Sequence, residues 1–339
     1  MGLTGFLHQH LPRVWLRRGP VAWALRPVAA IYGGLIALRR LGFAMGFFKT
    51  QRVPALVIVV GNVVAGGAGK TPVTMALAKH LLARGFKVGV ISRGHGRQTR
   101  DTRAVTSKSK PLDVGDEPLL IHQATGVPVW VGRARADAAM GLLQAHPEVQ
   151  ILLCDDGLQH LALARDIEIC VLDERGIGNG WLLPAGPLRE TWPRPVDAVL
   201  HSGPEVAALS AGAYHAPRQL ADHALTADGR RIPLQSLTTD NAPPLHAVAG
   251  LARPEAFFEM LRQSGLPLAS TAALPDHHDY QDWPAQPEKT WICTEKDAAK
   301  LWAHEPGALA VPLVVTPVSG FWDMLDTRID ELLKRQTPH

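Results

Sequence analysis

The chain has 339 residues, enough for two domains or one large domain with an appendage, and its composition is that of an ordinary soluble α/β protein. The net charge of +4 conceals an uneven spread, because the first hundred residues hold 15 Lys and Arg and no Asp or Glu. The three cysteines lie far apart without a C-x-x-C pair, which argues against a zinc site and fits buried thiols in a reducing compartment.

Residues 1–52 differ from the rest. Apolar blocks at 21–25, 27–38 and 41–48 alternate with Arg17-Arg18, Arg26 and Arg39-Arg40. No uncharged run reaches the roughly 18–20 residues of a spanning helix, and no small-residue cleavage site follows a single apolar core. The arginines, with Trp15, Trp23, Tyr32 and Phe47-Phe48, predict helices lying in a membrane interface, the guanidiniums reaching for lipid phosphates. The plainer alternative is an amphipathic helix packed on the protein's own surface. Large apolar blocks between the arginines favour an anionic membrane surface over nucleic acid.

The run Leu56-Val57-Ile58-Val59-Val60 predicts a strand buried on both faces. Gly66, Gly67, Ala68 and Gly69 follow, and Lys70-Thr71-Pro72 opens a helix to about residue 84. Strand, glycine turn, Lys-Thr and helix are the context of a P-loop, in which glycines let backbone N–H groups turn toward phosphate oxygens. Lys70 would reach the β- and γ-phosphates, the Thr71 hydroxyl would ligate Mg²⁺, and Pro72 suits a first helical turn. Val64 stands where the usual pattern has glycine, so an ordinary glycine-rich turn is the competing reading.

A second strand, 87–92, ends in Ser92-Arg93-Gly94-His95-Gly96-Arg97, glycines and arginines at the ligand edge of a parallel sheet or a flexible basic turn. Residues 98–113 are polar and predict an exposed loop. Gly115-Asp116-Glu117-Pro118 introduces a helix, whose dipole alone would account for the two carboxylates. A strand at 127–131 and a helix from Arg133 to about Ala145 follow. The apolar run 150–154 ends in Asp155-Asp156-Gly157, the arrangement in which a strand-end carboxylate holds Mg²⁺ or its waters. Another strand, 167–172, precedes a long Gly- and Pro-rich loop, 178–190, that closes on Arg189-Glu190. A strand at 196–200 is expected to be the last of this unit.

Residues 203–244 shift in composition and mark a boundary near 205–225. A second α/β pattern follows, with strands at 246–251, 268–273, 290–294 and 310–315, and helices at 255–264, from Ala298, and at 322–334. Pro275-Asp276-His277-His278-Asp279-Tyr280 is too compact for a metal site on one helix face, and each histidine alone suits an exposed loop.

Together these stretches resemble the tetraacyldisaccharide 4′-kinases of lipid A biosynthesis over nearly the whole chain. The matching motifs, in order, are GNVVAGGAGKTP, SRGHGR, VGDEP, DDGLQH, GNGWLLPAGPLRE, VAGLARPEAFF, PDHHDY and CTEKDAAK. The family shares the divergent loop at Val64, whereas His95 stands where a Tyr is expected. The resemblance implies an α/β fold with a P-loop NTPase-type, mostly parallel sheet flanked by helices. A smaller α/β domain and an amino-terminal membrane-associated helical segment complete it, with divisions at 1–52, 53–215 and 216–339.

It implies transfer of the γ-phosphoryl group of ATP, with Mg²⁺, to the 4′-hydroxyl of a lipid-linked disaccharide 1-phosphate, giving lipid IVA. The setting would be the cytoplasmic face of the bacterial inner membrane, with no nucleic acid and no obligate protein partner. Carried onto this chain, the catalytic set is Asp116 as base supported by His277, with Lys70, Asp155, Asp156 and Arg189. His278 stays open as the alternative to His277. Thr71, Asp155 and Glu117 would face the metal, and Glu190 is a further metal- or substrate-side candidate. A membrane-associated P-loop ATPase without a small-molecule acceptor is the rival class. It would not need the GDEP, PDHH and PLRE elements.

Overall fold

The structure, a computed structural model, describes residues 14–67, 69–203, 212–239 and 242–336. Residues 1–13 of the expected amino-terminal segment and 204–211 at the expected boundary lie outside them. Two helices come first, α1 (Pro20–Ala24) and α2 (Arg26–Ala44), each with proline in its first turn, where no amide donor is needed. On α2, Val28, Ile31, Leu35, Leu38 and Leu41 follow helical spacing and are 52–68% exposed. Eleven of the sixteen exposed large hydrophobic side chains among the described residues lie between Leu16 and Phe48. No described helix is long and apolar enough to cross a membrane.

The opposite face of α2 is docked. Tyr32 Oη donates to the Arg189 carbonyl at 3.0 Å, and Arg40 pairs with the buried Glu190. Trp15 Nε1 donates to the Pro184 carbonyl at 3.0 Å, while Trp23 meets Trp181 edge-on at 4.9 Å. The amino-terminal helices therefore pack on the 178–190 loop along one side and leave an apolar stripe on the other.

The larger sheet contains β1 (Leu56–Gly61), β2 (Val88–Ser92), β3 (Arg103–Val105), β4 (Val129–Val131), β5 (Ile151–Asp155), β6 (Ile167–Leu172), β7 (Ala198–His201) and β8 (Ala213–His215). Their order is β3-β4-β2-β5-β1-β6-β7-β8, and only the β3–β4 edge pair is antiparallel. Along β1, Leu56, Ile58 and Val60 enter one core while Val57 and Val59 enter the other. That period of two on a strand covered on both faces is why the run reads as unbroken Leu, Val and Ile. Each such side chain contributes about 1.5–3 kcal/mol by leaving water.

One face of the sheet is covered by α3 (Lys70–Ala83) and, after the short α4 (Pro111–Val114), by α5 (Asp116–Thr125); the other by α6 (Arg135–Ala145). The segment 98–113, expected as a loop, carries β3 and α4. A three-residue edge strand is too short to leave an alternating pattern.

Beyond the boundary, β9 (Arg218–Leu220), β10 (His223–Leu225) and β11 (Arg231–Pro233) occupy a stretch in which no strand was expected. A second sheet adds β12 (Leu245–Ala249), β13 (Leu268–Ala273), β14 (Thr290–Thr294) and β15 (Leu309–Val311), in the order β11-β10-β15-β14-β12-β13. Its two faces are covered by α7 (Pro254–Gln263) and α8 (Glu295–Leu301). The expected strand 310–315 is broken at Pro312, which lacks the N–H a central ladder needs. Its second half, β16 (Leu313–Val315), pairs with β9 in a separate two-stranded ribbon. The last helix, α9 (Ser319–Gln336), returns to the first unit, where Phe321, Leu325 and Ile329 join the core under α3. His80 and Arg84 of α3 meet Asp326 of α9 at 2.8 and 3.0 Å.

Candidate active site

Two neighbouring strands aim the first half of the site. β1 and β5 pair with Val60 opposite Asp155, so the glycine loop and the Asp155-Asp156 turn leave the sheet side by side. Gly69 takes φ +73° as the residue before α3, a left-handed turn open to glycine, and presents Lys70 and the buried Thr71 in the first helical turn. Gly66, Gly67 and Pro72 sit in the same turn, and Ala68 lies outside the described residues.

Lys70 Nζ is 3.8 Å from Asp156 Oδ1, to which Arg189 Nη1 donates at 3.1 Å. Burial alone would raise the Asp156 carboxyl; the charges of Lys70 and Arg189 override it and hold the group below its ordinary range. Asp156 adopts φ +49°, one of only three positive values at non-glycine residues among those described. A cost of about 1–3 kcal/mol at such a residue is borne where its neighbours dictate its direction.

Asp155 has the opposite character. It is fully buried, accepts from Thr74 Oγ1 at 2.9 Å on Oδ1, and leaves Oδ2 buried without a partner. Burial first, then the negative charge of Glu117, pushes its carboxyl up to about 7. An orphaned carboxylate oxygen near Lys70, with the Thr71 hydroxyl in the adjoining turn, fits a hard cation that takes oxygen ligands. Among the described residues no three His, Cys, Asp or Glu side chains gather into a metal site. The cation this donor set suits is one held by one or two carboxylates, a hydroxyl and phosphate oxygens.

The second half of the site is built between the two units. Gly115, at φ +94°, turns the chain so that Asp116 begins α5, and a Cβ on Gly115 would fall 2.9 Å from the His95 carbonyl. His277 Nδ1 and Lys300 Nζ meet Asp116 Oδ2 at 2.9 and 2.8 Å. Burial alone would raise Asp116, but these two hydrogen bonds and the charges of Lys300 and Lys296 hold it below the usual carboxylate value. His277 is itself at φ +62°, and its Nε2 faces Lys296 Nζ at 3.4 Å. The two histidines thus separate: His277 turns to Asp116, whereas His278 Nδ1 accepts from the Tyr280 amide at 3.1 Å.

A family model described as tetraacyldisaccharide-1-P 4′-kinase (LpxK) matches residues 21–334. Proteins named tetraacyldisaccharide 4′-kinase are 54% identical in Acidovorax sp. (strain JS42), over 96% of each chain, and 50% identical in Delftia acidovorans, over 95% of each. That of Verminephrobacter eiseniae is 56% identical over 93% of this chain and 74% of its own. A crystal structure of the "apo" form of LpxK from Aquifex aeolicus in complex with ATP matches with a TM-score of 0.80 at 28% identity, covering 92% of this chain and 99% of that one. The chain belongs to the tetraacyldisaccharide-1-P 4′-kinase family.

Several residues in contact with this candidate site went unassigned in the sequence. Lys296 and Lys300 sit four apart on α8, so both reach the Asp116–His277 pair from one helix face. The signal was present, because Thr294 caps α8 by accepting from the Asp297 amide at 3.2 Å, a Thr-x-x-Asp start that fixes the helical phase. Arg135, buried at the start of α6, donates to the carbonyls of Asp155 and Asp156 at 3.4 Å each. Arg175 donates to the Gly67 carbonyl at 3.0 Å, and the Arg218 guanidinium lies against Gly69, where a Cβ would meet its Cζ at 2.5 Å. Glu190, expected on the metal or substrate side, is instead engaged by Arg40, by Gln159 Nε2 at 2.6 Å and by Arg194 Nε at 3.4 Å.

Proposed function

We propose that the chain transfers the γ-phosphoryl group of ATP to the 4′-hydroxyl of a tetraacyldisaccharide 1-phosphate, releasing ADP, at a membrane surface. The observation that carries this reading is the adjacency of the two halves on α5. Asp116 accepts from His277 and Lys300, while the next residue, Glu117, is close enough to Asp155 to raise its carboxyl. Base and phosphate site are thus neighbours through one peptide bond.

Lys70, with the loop amides of Gly66, Gly67, Ala68 and Gly69, would hold the β- and γ-phosphates, and Pro72 starts the helix below them. Thr71, Asp155 and Glu117 would hold Mg²⁺, whose part is to neutralise charge on the phosphate oxygens. Asp156, fixed between Lys70 and Arg189, keeps both cations turned toward the phosphates. The Asp116 carboxylate takes the proton of the 4′-hydroxyl as the bond from that oxygen to the γ-phosphorus forms and the bond to the bridging β,γ-oxygen breaks. His277 orients the carboxylate and, with Lys300, keeps it ionised until the proton arrives.

The unpartnered stripe on α2, with the acid-free first hundred residues, supports docking on an anionic bilayer, peripheral or monotopic. An acceptor with four acyl chains does not leave a bilayer cheaply, so the enzyme must go to it. Use of ATP and three buried free cysteines support the cytoplasmic face of the bacterial inner membrane. The division into 1–52, 53–215 and 216–339 serves as anchor, donor unit and base-supporting unit, with α9 of the last packed on the donor unit.

The test is ADP release in neutral detergent micelles with and without the lipid acceptor. Acceptor-dependent release with phosphate appearing on the sugar is expected. Equal ATP consumption without acceptor would instead favour an ATPase and overturn the kinase reading.

A further inference from the structure

The two faces of α2 carry different residue types. Val28, Ile31, Leu35, Leu38 and Leu41 form the unpartnered stripe, whereas Ala29, Tyr32, Gly33, Ile36 and Arg40 recur at helical spacing on the buried or half-buried face. A Cβ on Gly33 would fall 2.8 Å from the Leu182 side chain, so the helix lies close on the 178–190 loop there. Apolar contact alone would seat a helix. Here two polar groups eight residues apart also grip one dipeptide: Tyr32 Oη donates to the Arg189 carbonyl, and Arg40 pairs with the Glu190 carboxylate. Burial, against the charge of Arg189 and with that of Glu190, raises the Tyr32 phenol, so it stays a donor.

That dipeptide borders the phosphate site. Residues 187–189 run beside 63–65, the approach to the glycine loop. The Ala65 amide donates to the Pro187 carbonyl at 2.8 Å, and the Arg189 amide to the Val63 carbonyl at 2.7 Å. Arg189 Nη1 then donates to Asn62 Oδ1 at 2.9 Å and to Asp156 Oδ1 at 3.1 Å. Glu190 is buried and accepts from Gln159 Nε2 at 2.6 Å, and that nitrogen also donates to the Asn62 carbonyl at 3.0 Å. Asn62, fully buried, donates in turn to the Gly66 carbonyl at 3.3 Å. Hydrogen bonds and ion pairs thus run unbroken from α2 to the loop, and they fix direction as apolar packing does not.

We propose that Tyr32 and Arg40 are positioning residues for phosphoryl transfer, so that the helix with the membrane-facing stripe also sets Arg189 against Asp156. The proposal rests on the kinase reading above. Neither side chain touches a reacting atom. Without the Tyr32 hydroxyl the Arg189 carbonyl loses its fixed donor. Without Arg40 the buried Glu190 is a charge short of a partner, and the dipeptide relaxes toward water, taking Arg189 with it.

The experiment measures acceptor-dependent ADP release in neutral detergent micelles for Tyr32→Phe, Arg40→Ala and Arg40→Lys, beside sedimentation with phosphatidylglycerol vesicles. Tyr32→Phe keeps the ring and should lower kcat about 3- to 10-fold. Arg40→Ala should lower it about 10- to 100-fold, and Arg40→Lys should restore part of that. The KM for the acceptor and the sedimentation should be retained in all three. A cycle with Arg189→Ala separates positioning from a weakened fold: once the Arg189 side chain is gone, Tyr32→Phe should cost no further kcat. Losses that multiply with that of Arg189→Ala overturn the proposal. So does an unchanged kcat in Tyr32→Phe and Arg40→Ala, with or without lost sedimentation, since α2 would then be an anchor only. Absence of acceptor-dependent ADP release by the wild type would overturn the kinase reading and the positioning role with it, whereas wild-type release with unchanged variants overturns the positioning role alone.

Discussion

The donor half and the acceptor half of the site are built on different principles. Lys70, Thr71, Asp155 and Asp156 all leave adjacent parallel strands or the helix that follows, so one sheet register, Val60 opposite Asp155, aligns them. Asp116, His277 and Lys300 come from α5, the loop after β13 and α8, and they meet only because the smaller unit is docked on the larger. The first half is as rigid as the core beneath it. The second exists only while the two units hold their contact, so proton removal by Asp116, as proposed, would be conditional on docking in a way that nucleotide binding is not.

Lys70→Ala probes the rigid half and should have the largest effect. Its side chain, 13% exposed and facing Asp156, belongs to neither apolar core of the sheet, so kcat should fall about 10³-fold or more with only a small change in melting temperature. Near-normal turnover in a folded variant would remove Lys70 from the phosphate site.

Asp116→Ala and His277→Ala probe the conditional half. A base in a loose phosphoryl-transfer transition state is worth about 10²–10⁴-fold, so each should lower kcat by that order with the KM for ATP little changed. Because His277 Nδ1 bonds the carboxylate it supports, the double variant should be little worse than the poorer single one. Multiplicative losses would show two independent roles, and a large rise in the ATP KM for Asp116→Ala would make that residue a nucleotide or metal ligand.

The same contrast governs what the sequence disclosed. Motifs whose partners are local could be read directly: the apolar run of β1 with its glycine turn, and the β5 run ending in Asp155. Residues whose partners lie far along the chain could not. Lys300 is 184 positions from Asp116, and nothing near it specifies a carboxylate. Arg175 is 108 positions from the Gly67 carbonyl it holds. Three-residue strands such as β3, β9 and β11 carry too few residues for a period, and β16 is visible only through Pro312. The histidine pair was ambiguous because the choice is made by the backbone: φ +62° at His277 turns one ring to Asp116 and leaves its neighbour on Tyr280.

Arg175→Ala tests an intermediate case, a residue of the donor half whose contact is long-range in sequence. Its guanidinium is held by Asp173 and donates to the Gly67 carbonyl, fixing the glycine loop from outside. Loss of that charged hydrogen bond should raise the KM for ATP on the order of ten-fold with a smaller change in kcat. An unchanged KM would mean that the loop holds its shape without the clasp.

The smallest effect expected is a dependence of Mg²⁺·ATP binding on pH, and it belongs to Asp155. In the ligand-free protein this buried carboxyl is raised to about 7, first by desolvation, then by Glu117, with Asp156 adding to the effect and Lys70 opposing it. A raised folded pKa means that the folded carboxyl keeps its proton up to about pH 7 whereas the unfolded chain loses it at the ordinary value of 3.8, so this group's contribution to stability falls as pH rises between the two and levels off above about 7. A divalent cation bound at Oδ2 reverses the preference, because it takes the ionised form. Binding must then release a proton below about pH 7, and affinity should climb about ten-fold from one unit below that value to the plateau above it. The rise in melting temperature given by Mg²⁺·ATP should accordingly be larger at pH 8 than at pH 6. Calorimetric titration in buffers of different ionisation enthalpy reads the released proton directly. Asp155→Asn, which has no proton to release, should bind more weakly with a flat profile. The same slope in that variant would assign the proton to another group and detach Asp155 from the metal.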